Sequence, residues 1–365
     1  SYEARAQQRP YDAGSRLPMG SYRTQNIFSQ EVSSDFLLKY TKKVNKDFDF
    51  SVTLGGNALR NFYNRDENRA DSLTYPGVYT MANSAGPLVT IPYKSKYAIN
   101  SFYGLVTMGY KNFLFADFTG RQDWNSTLAT PSRTENSGFF YPSGNLSFIA
   151  SDVIKMPKAV NFAKLRFSLA GVGGGTTTPY RTAFNYISAG SLYSGGLTNP
   201  PVLANPDLKP LRQISVELGT TVKMFRNRLG LDAAIYRGTT RNQILERIVD
   251  RASGYTRAVI NAGKVSNKGF ELALNGTPIS TKSGFKWTSY IVFSTNSNRI
   301  EALADSSVVL RTGPVGGGQI VAKVGGSMGD LYGRGYVRAP DGQVVYDAAT
   351  GFALVSQDVT YLGNT

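Results

Sequence analysis

The sequence predicts an all-β protein, a portion of an antiparallel transmembrane β-barrel with long extracellular loops and short periplasmic turns. Three observations predict it. Residues alternate apolar and polar with period 2 through most of the chain. The alternating runs last about 10 to 14 residues, where soluble strands have about 5 or 6 and a tilted bilayer-spanning strand needs about 9 to 11. Short and long connections take strict turns along the chain, as they must when every second connection of an up-and-down barrel lies on the same rim.

The first runs, 36–42 and 47–57, flank a short link at 43–46. The runs 97–110 and 113–124 flank Lys111-Asn112, followed by a run at 139–150. In 164–171, Leu165, Phe167 and Leu169 alternate with Lys164, Arg166 and Ser168. The clearest case is 213–225. Ile214, Val216, Leu218, Thr220, Val222 and Met224 share one face; Gln213, Ser215, Glu217, Gly219, Thr221 and Lys223 share the other. A strand buried on both faces would not carry Glu217 and Lys223, whereas a strand with one wet face does. Arg226-Asn227-Arg228 reads as a tight hairpin leading to Leu229, Leu231, Ala233 and Ile235. Phe270, Leu272 and Leu274 alternate with Glu271, Ala273 and Asn275, and Phe285, Trp287, Ile291 and Phe293 share one parity. Links at 43–46, 111–112, 151–162, 226–228 and 278–284 are short; those at 58–96, 125–138, 173–211 and 241–265 are long. A soluble sandwich gives no reason for such sorting. Tyr110, Phe113 and Phe115 beside a short turn suit an aromatic interfacial girdle, or ordinary cross-strand aromatic pairs. No 20–50-residue repeat marks a propeller or solenoid.

Composition closes off most chemistry. The chain has 365 residues with neither Cys nor His. Disulfides, thiolate catalysis, the commonest metal ligand and the commonest neutral-pH base are therefore unavailable. No cofactor and no enzymatic activity are expected; glycoside hydrolysis would need a carboxylate pair at a defined separation, which spacing along the chain does not reveal. Tyr (22), Phe (20) and Gly (38) are abundant, which suits strands and turns. No run of 18 apolar residues writes a transmembrane helix, and the polar, charged first nine residues are not a signal peptide. The net charge is +15. Beyond Lys42, Lys43 and Lys46 the basic residues are scattered, so no nucleic-acid footprint is expected.

Several segments resemble the mid-barrel of SusC/RagA proteins, a group of TonB-linked outer-membrane proteins. They are Ser34-Asp35-Phe36-Leu37-Leu38-Lys39-Tyr40, the run 48–57 and Leu73-Thr74-Tyr75-Pro76-Gly77-Val78-Tyr79. Tyr110-Lys111-Asn112-Phe113-Leu114, followed by Arg121-Gln122-Asp123, is similar to that family's hairpin and Arg-x-Asp strand end. Tyr141-Pro142-Ser143 resembles its strand opening, Asn205-Pro206-Asp207-Leu208-Lys209 its Asn-Pro-x-Leu-Lys segment, and 261–271 its Asn-x-Gly-x-Val-x-Asn-Lys-Gly-x-Glu motif. These blocks read as structural. Gly269 should supply a positive φ at a bulge before a strand, and the prolines an extended approach to the strand at 213. The resemblance implies a barrel of about 22 strands closed by an N-terminal plug. On this reading residues 1–365 are one partial barrel domain, without plug or terminal strands, and unpaired edges would make it aggregate alone. The implied activity is TonB-dependent uptake of oligosaccharides or peptides across the outer membrane. The implied partners are a SusD-like surface lipoprotein, TonB and outer-membrane lipid. Apart from the resemblance, a passive porin or a soluble β-rich glycan-binding or adhesin module would fit the pattern.

Tyr75, Tyr79, Tyr180 and Tyr193 are the candidate substrate contacts, since aromatic faces in loops can stack on sugars; packing between loops is their plainer role. Asp341-Gly342, Asp347 and Asp358 read as turns, because Ala348 and Ala349 interrupt a calcium ligand ladder. Gly171 to Gly175 and Gly316 to Gly318 read as flexible loops, with no Lys-Ser/Thr to make a phosphate loop.

Overall fold

The computed structural model describes residues 1–365 except 12–16, 177, 189–194, 305, 306, 313–317 and 365. The long strands are β1 (Tyr2–Arg9), β2 (Ser21–Lys43), β3 (Phe48–Ala70), β4 (Val89–Tyr110), β5 (Leu114–Asn125), β6 (Gly138–Ile149) and β7 (Val160–Gly174). The short β8 (Ile187–Ser188), β9 (Leu197–Thr198) and β10 (Val202–Leu203) lie in the connection to β11 (Leu211–Met224). Then come β12 (Leu229–Ile248), β13 (Arg257–Ser280) and β14 (Lys286–Ala302). The last four are β15 (Ser307–Thr312), β16 (Gln319–Lys323), β17 (Asp330–Tyr336) and β18 (Val355–Asn364).

A 12-stranded sheet runs from β1 through β7 to β11, β12 and β13, with β14 and β10 both on β13. Its long strands pair antiparallel to their neighbours, forming the curved wall of an incomplete barrel; β10 alone joins parallel. Turns at 44–47, 111–113, 150–159, 225–228 and 281–285 collect on one rim, and the connections 71–88, 126–137, 175–210 and 249–256 on the other. The sorting by rim follows the sequence reading, but 241–265 is not a long connection: β12 and β13 extend into it and leave only 249–256, eight residues against the ten of 150–159 on the short-turn rim. Local chemistry makes the tight turns. Lys111 and Asn112 take φ of 47° and 58°, the left-handed pair that matches hairpin twist. The Asn161 side chain accepts the Arg226 N–H at 2.6 Å and so braces the next turn.

The two faces differ as the parity predicts. Tyr40, Val52, Val106 and Phe118 form one cross-strand row on the outer face. Leu146, Phe167, Leu218, Ile235 and Phe270 form another. Leu218 is 51% and Ile235 54% exposed, and so broad an apolar surface requires an apolar surrounding. The adjoining inner row is Ser147, Arg166, Gly219, Ala234 and Glu271. From Ile214 to Met224 the outer apolar run covers about 33 Å at ~3.3 Å per residue. Tilted by ~40° it is about 25 Å tall, the height of a lipid-facing band.

Four expectations need correction. First, the strands are longer than anticipated: β2 and β3 each have 23 residues. Their upper parts, with Asn64, Arg65, Asp66, Glu67, Asn68 and Arg69, are polar on both faces, so they show no alternation although the ladder continues to Arg69 opposite Val89. Second, Phe115 turns inward, opposite Gly109 and Ser147, because it has the parity of Asp117. The aromatic cluster at the short-turn rim is Phe48, Tyr110, Phe113 and Phe148, with centroids 4.7 to 6.0 Å apart. Third, Gly269 lies mid-strand in β13 and is absent from the positive-φ glycines; a Cβ there would strike the Tyr236 ring. The left-handed glycine of that motif is Gly263, φ 42°. Fourth, Gly171, Gly173 and Gly174 belong to β7 rather than to a loop, and a Cβ on Gly173 would enter the Phe139 ring. Gly316 and Gly317 lie outside the described residues.

Residues beyond β14 form a second sheet, β15-β16-β17-β18. Ala322 of β16 packs with Val265 and Ile300 of the wall, and Ile300 donates its N–H to the Gly326 carbonyl at 2.8 Å. The segment 359–364, which the sequence showed no reason to end a barrel, pairs with β17 in this sheet. Asp347 forms a turn. Its carboxylate accepts the Thr350 hydroxyl and N–H, each at 2.8 Å. These donors, the hydroxyl foremost, hold the carboxyl below its ordinary range.

Among the described residues, β1 and β14 each present an outer edge with no partner strand. The 365-residue chain expressed alone is therefore expected to aggregate in detergent-free buffer. Size-exclusion chromatography with thermal unfolding checks this; a monodisperse, cooperatively melting product would overturn it.

Candidate functional site

The polar inner face and the long-loop rim above it hold the ordered polar chemistry. Three clusters climb the wall. In the first, Arg166 of β7 reaches across β11 to Asp232 of β12 with two bonds, at 2.7 and 3.0 Å. Thr221 donates to the same carboxylate at 2.6 Å, and Glu217 lies 3.5 Å from the Arg166 Nε. A bidentate guanidinium–carboxylate pair is the most geometrically specific ion pair available. Here it is about a third exposed, so it orders the surface more than it stabilises the fold.

The second cluster centres on Asp123 of β5. Arg121 donates to one carboxylate oxygen at 2.7 Å, and the Tyr141 hydroxyl to the other at 2.6 Å. Arg121 also donates to Ser101 at 2.9 Å and sits over the Tyr103 ring. Two blocks that are separate in sequence, Arg121-Gln122-Asp123 and Tyr141-Pro142-Ser143, are thus one hydrogen-bonded unit. The third cluster lies in the extended upper wall. Glu67, with its side chain only 3% exposed, receives Arg23 at 2.8 Å and Gln25 at 2.7 Å, with Arg65 at 3.6 Å. Arg65 lies over Tyr93, which packs edge-on to Tyr63. A buried carboxylate among two guanidinium groups is the most constrained charge on this face. Sequence reading missed it: Gln25 and Glu67 are 42 residues apart, and only the β2–β3 register unites them.

Above these clusters the long loops fold inward over the mouth. Leu128, Phe139, Leu208 and Val259 form a small apolar core, joined by Tyr141, Val202 and Ile244. Asn261 brackets Lys209, accepting its N–H and donating to its carbonyl, both at 2.9 Å. The Asn-Pro-x-Leu-Lys segment and the motif beginning at Asn261 are therefore complementary halves of one loop anchor. Arg181 pins the same connection to Glu246 at 2.6 Å.

The tyrosines picked from sequence do not form one platform. Tyr75 is 68% exposed on the 71–88 connection, where Asn83 organises the loop through the Tyr75 N–H, the Tyr75 carbonyl and the Val78 carbonyl. Tyr79 lies on that loop, half-buried. Tyr180, at φ 64°, accepts the Lys96 N–H through its hydroxyl at 3.2 Å, which fixes its loop against β4. Tyr193 lies outside the described residues. Among the described residues no ring contact or hydrogen bond joins Tyr75, Tyr79 and Tyr180.

Similarity to known proteins agrees with this geometry. A family model described as TonB dependent receptor-like, beta-barrel, matches residues 1–363. Two TonB-dependent receptors of Formosa agariphila, P3 and P26, are 28% identical over 231 residues and 29% over 213. Those matches take in 61% and 56% of this chain but 23% and 21% of the relatives, so the chain spans less than a quarter of the proteins it matches. The RagAB peptide transporter superposes with a TM-score of 0.75 at 17% identity, over 98% of this chain and 40% of that one. The copper transporter OprC gives 0.51 at 15% identity, over 91% and 44%. At these identities the superpositions establish the fold. With the barrel model matching nearly end to end, the chain belongs to the TonB-dependent receptor-like β-barrel family.

Proposed function

We propose that residues 1–365 are part of the barrel domain of a SusC-like channel subunit in the outer membrane. In this reading the protein takes up oligosaccharides or peptides in a TonB-dependent manner, as one half of a SusCD-type complex. One observation carries the proposal: adjoining cross-strand rows are apolar outside and charged inside over about the height of a bilayer core. Such a wall separates lipid from a water-filled lumen. The long-loop rim then faces the exterior, where a SusD-like lipoprotein would cap the connections 71–88 and 175–210, and the short turns face the periplasm. TonB would act through a plug region rather than through the wall. Tyr75 and Tyr79 stand on an exterior loop in this orientation, where they would meet substrate or the capping lipoprotein. The inward-folded loop core supports gated transport over an open pore. Membership in the family, and a fold shared with a peptide transporter, support the same reading.

Growth and uptake test it. Cells lacking the full-length protein should fail on one defined oligosaccharide or peptide mixture as sole nutrient source and recover on complementation. Loss of TonB should abolish uptake equally. Uptake that persists without TonB would replace this reading with a passive porin. The nutrient that fails separates glycan from peptide.

A further inference from the structure

On the outer face of β11 to β14, from the top rows of the apolar band to just above it, cations stand side by side. Arg212, Arg241 and Lys264 form one cross-strand row. Arg237 and Lys268 pair directly in a row four residues nearer the membrane centre, beside Val216, and Arg299 stands opposite Ser266 in the row between. Like charges placed directly opposite one another destabilise a ladder, so this arrangement calls for an anion. Among the described residues the only carboxylate that pairs with these cations is Glu301, which contacts Lys264 and lies 3.5 Å from Arg237. Arg212, Arg241, Lys268 and Arg299 have no ion-pair partner among the described residues. The Arg237 side chain is 70% exposed.

The surroundings are specific. Arg212, Arg237, Arg241 and Lys264 line an open groove of about 680 Å³ whose floor is Ile214, Val216, Leu218 and Ile235. Arg237 is two residues past Ile235, about 7 Å along the strand, so the cations sit within a headgroup layer of the apolar band. On β2 to β4 the corresponding outward rows carry two cations, Arg60 opposite Val32 and Lys96 in the row of Gln30 and Phe62, and these do not stand directly opposite one another. A cap resting on the loops would not reach a face turned toward lipid.

We propose that this groove binds a phosphate-bearing acylated glycolipid of the outer leaflet, the phosphate among Arg212, Arg241 and Lys264 and an acyl chain along Ile214 to Leu218. Guanidinium forks suit phosphate oxygens, and the long side chains place their charges at the interface. The site lies on the face opposite the lumen clusters and does not depend on the identity of the transported nutrient.

The test uses the full-length protein in detergent micelles, titrated with a phosphorylated acylated glucosamine disaccharide and read by native mass spectrometry. The wild type should retain it, and the dephosphorylated lipid should bind far more weakly. Arg212→Gln, Arg241→Gln and Lys264→Gln together should weaken binding about a hundredfold, as three near-surface cations imply, with uptake unchanged and the thermal unfolding temperature in lipid-free micelles no lower than the parent's. Equal retention by this triple variant, or by the dephosphorylated lipid, would overturn the proposal. So would displacement by millimolar inorganic phosphate, which would mark a site for a soluble anion, or loss of a co-purifying acidic protein instead of lipid. Failure of uptake in every nutrient condition, with lipid retention intact, would reject the transport reading and leave this site standing.

Discussion

Replacing Leu218 by Arg is expected to destabilise the full-length barrel by about 2–4 kcal/mol, the cost of a cation at the midplane of a lipid-facing band. Leu218 is the third of the six residues in the outward run from Ile214 to Met224 and sits in the row Leu146, Phe167, Leu218, Ile235, Phe270. No carboxylate shares that row, so the new charge would have only lipid around it. Ile214→Arg, at the upper edge of the band and beside Arg212, should cost about 0–1 kcal/mol because a long side chain escapes to the interface. Ser215→Arg, one residue away but facing inward, should stay within about 0.5 kcal/mol of the parent. Denaturant unfolding of the three variants in phospholipid vesicles checks the series. Equal losses at 215 and 218 would mean that the faces are wrongly assigned, and equal losses at 214 and 218 would mean that the band is wrongly placed.

That series rests on what was legible in the sequence. Outward parity on β11 is a local property, repeated every second residue, and the turns at Lys111-Asn112 and around Asn227 are made by residues within them. Both could be read without a structure. The inner clusters could not. Arg166 meets Asp232 across β11, Tyr141 meets Asp123 across a hairpin, and Arg23 meets Glu67 in the upper wall. Each pairing depends on register, and a shift of one residue would turn one partner to the opposite face. The upper halves of β2 and β3 were illegible for a related reason: where both faces are wet, polarity has no period to report. The tyrosines were chosen for exposure and chemistry. Exposure held for Tyr75 and Tyr180, but convergence on one site is a matter of loop packing, and the loops pack through Leu128, Phe139, Leu208 and Val259 instead. The motif glycines show the same limit. Gly269 and Gly173 make room for the rings of Tyr236 and Phe139, neighbours that only strand pairing identifies.

Leu208→Ala is expected to cost about 2–5 kcal/mol, the range for truncating a buried leucine, and to spend it locally. Leu208 is fully buried yet belongs to the 175–210 connection rather than to a wall strand. Its neighbours Leu128, Phe139 and Val259 come from three other parts of the chain, so the residue ties the roof together. The wall is held by its own backbone ladder and does not need the roof to pair. Limited proteolysis of the full-length protein should therefore cut within 175–210 at least tenfold faster in the variant, while the denaturant midpoint of the barrel stays fixed. This separation follows from local opening having its own free energy, smaller than that of global unfolding. A matching drop in barrel stability with no new cleavage would show that the roof and the wall unfold as one unit. Loop opening would then be closed to any transport cycle, and the inward-folded loops could not act as a gate.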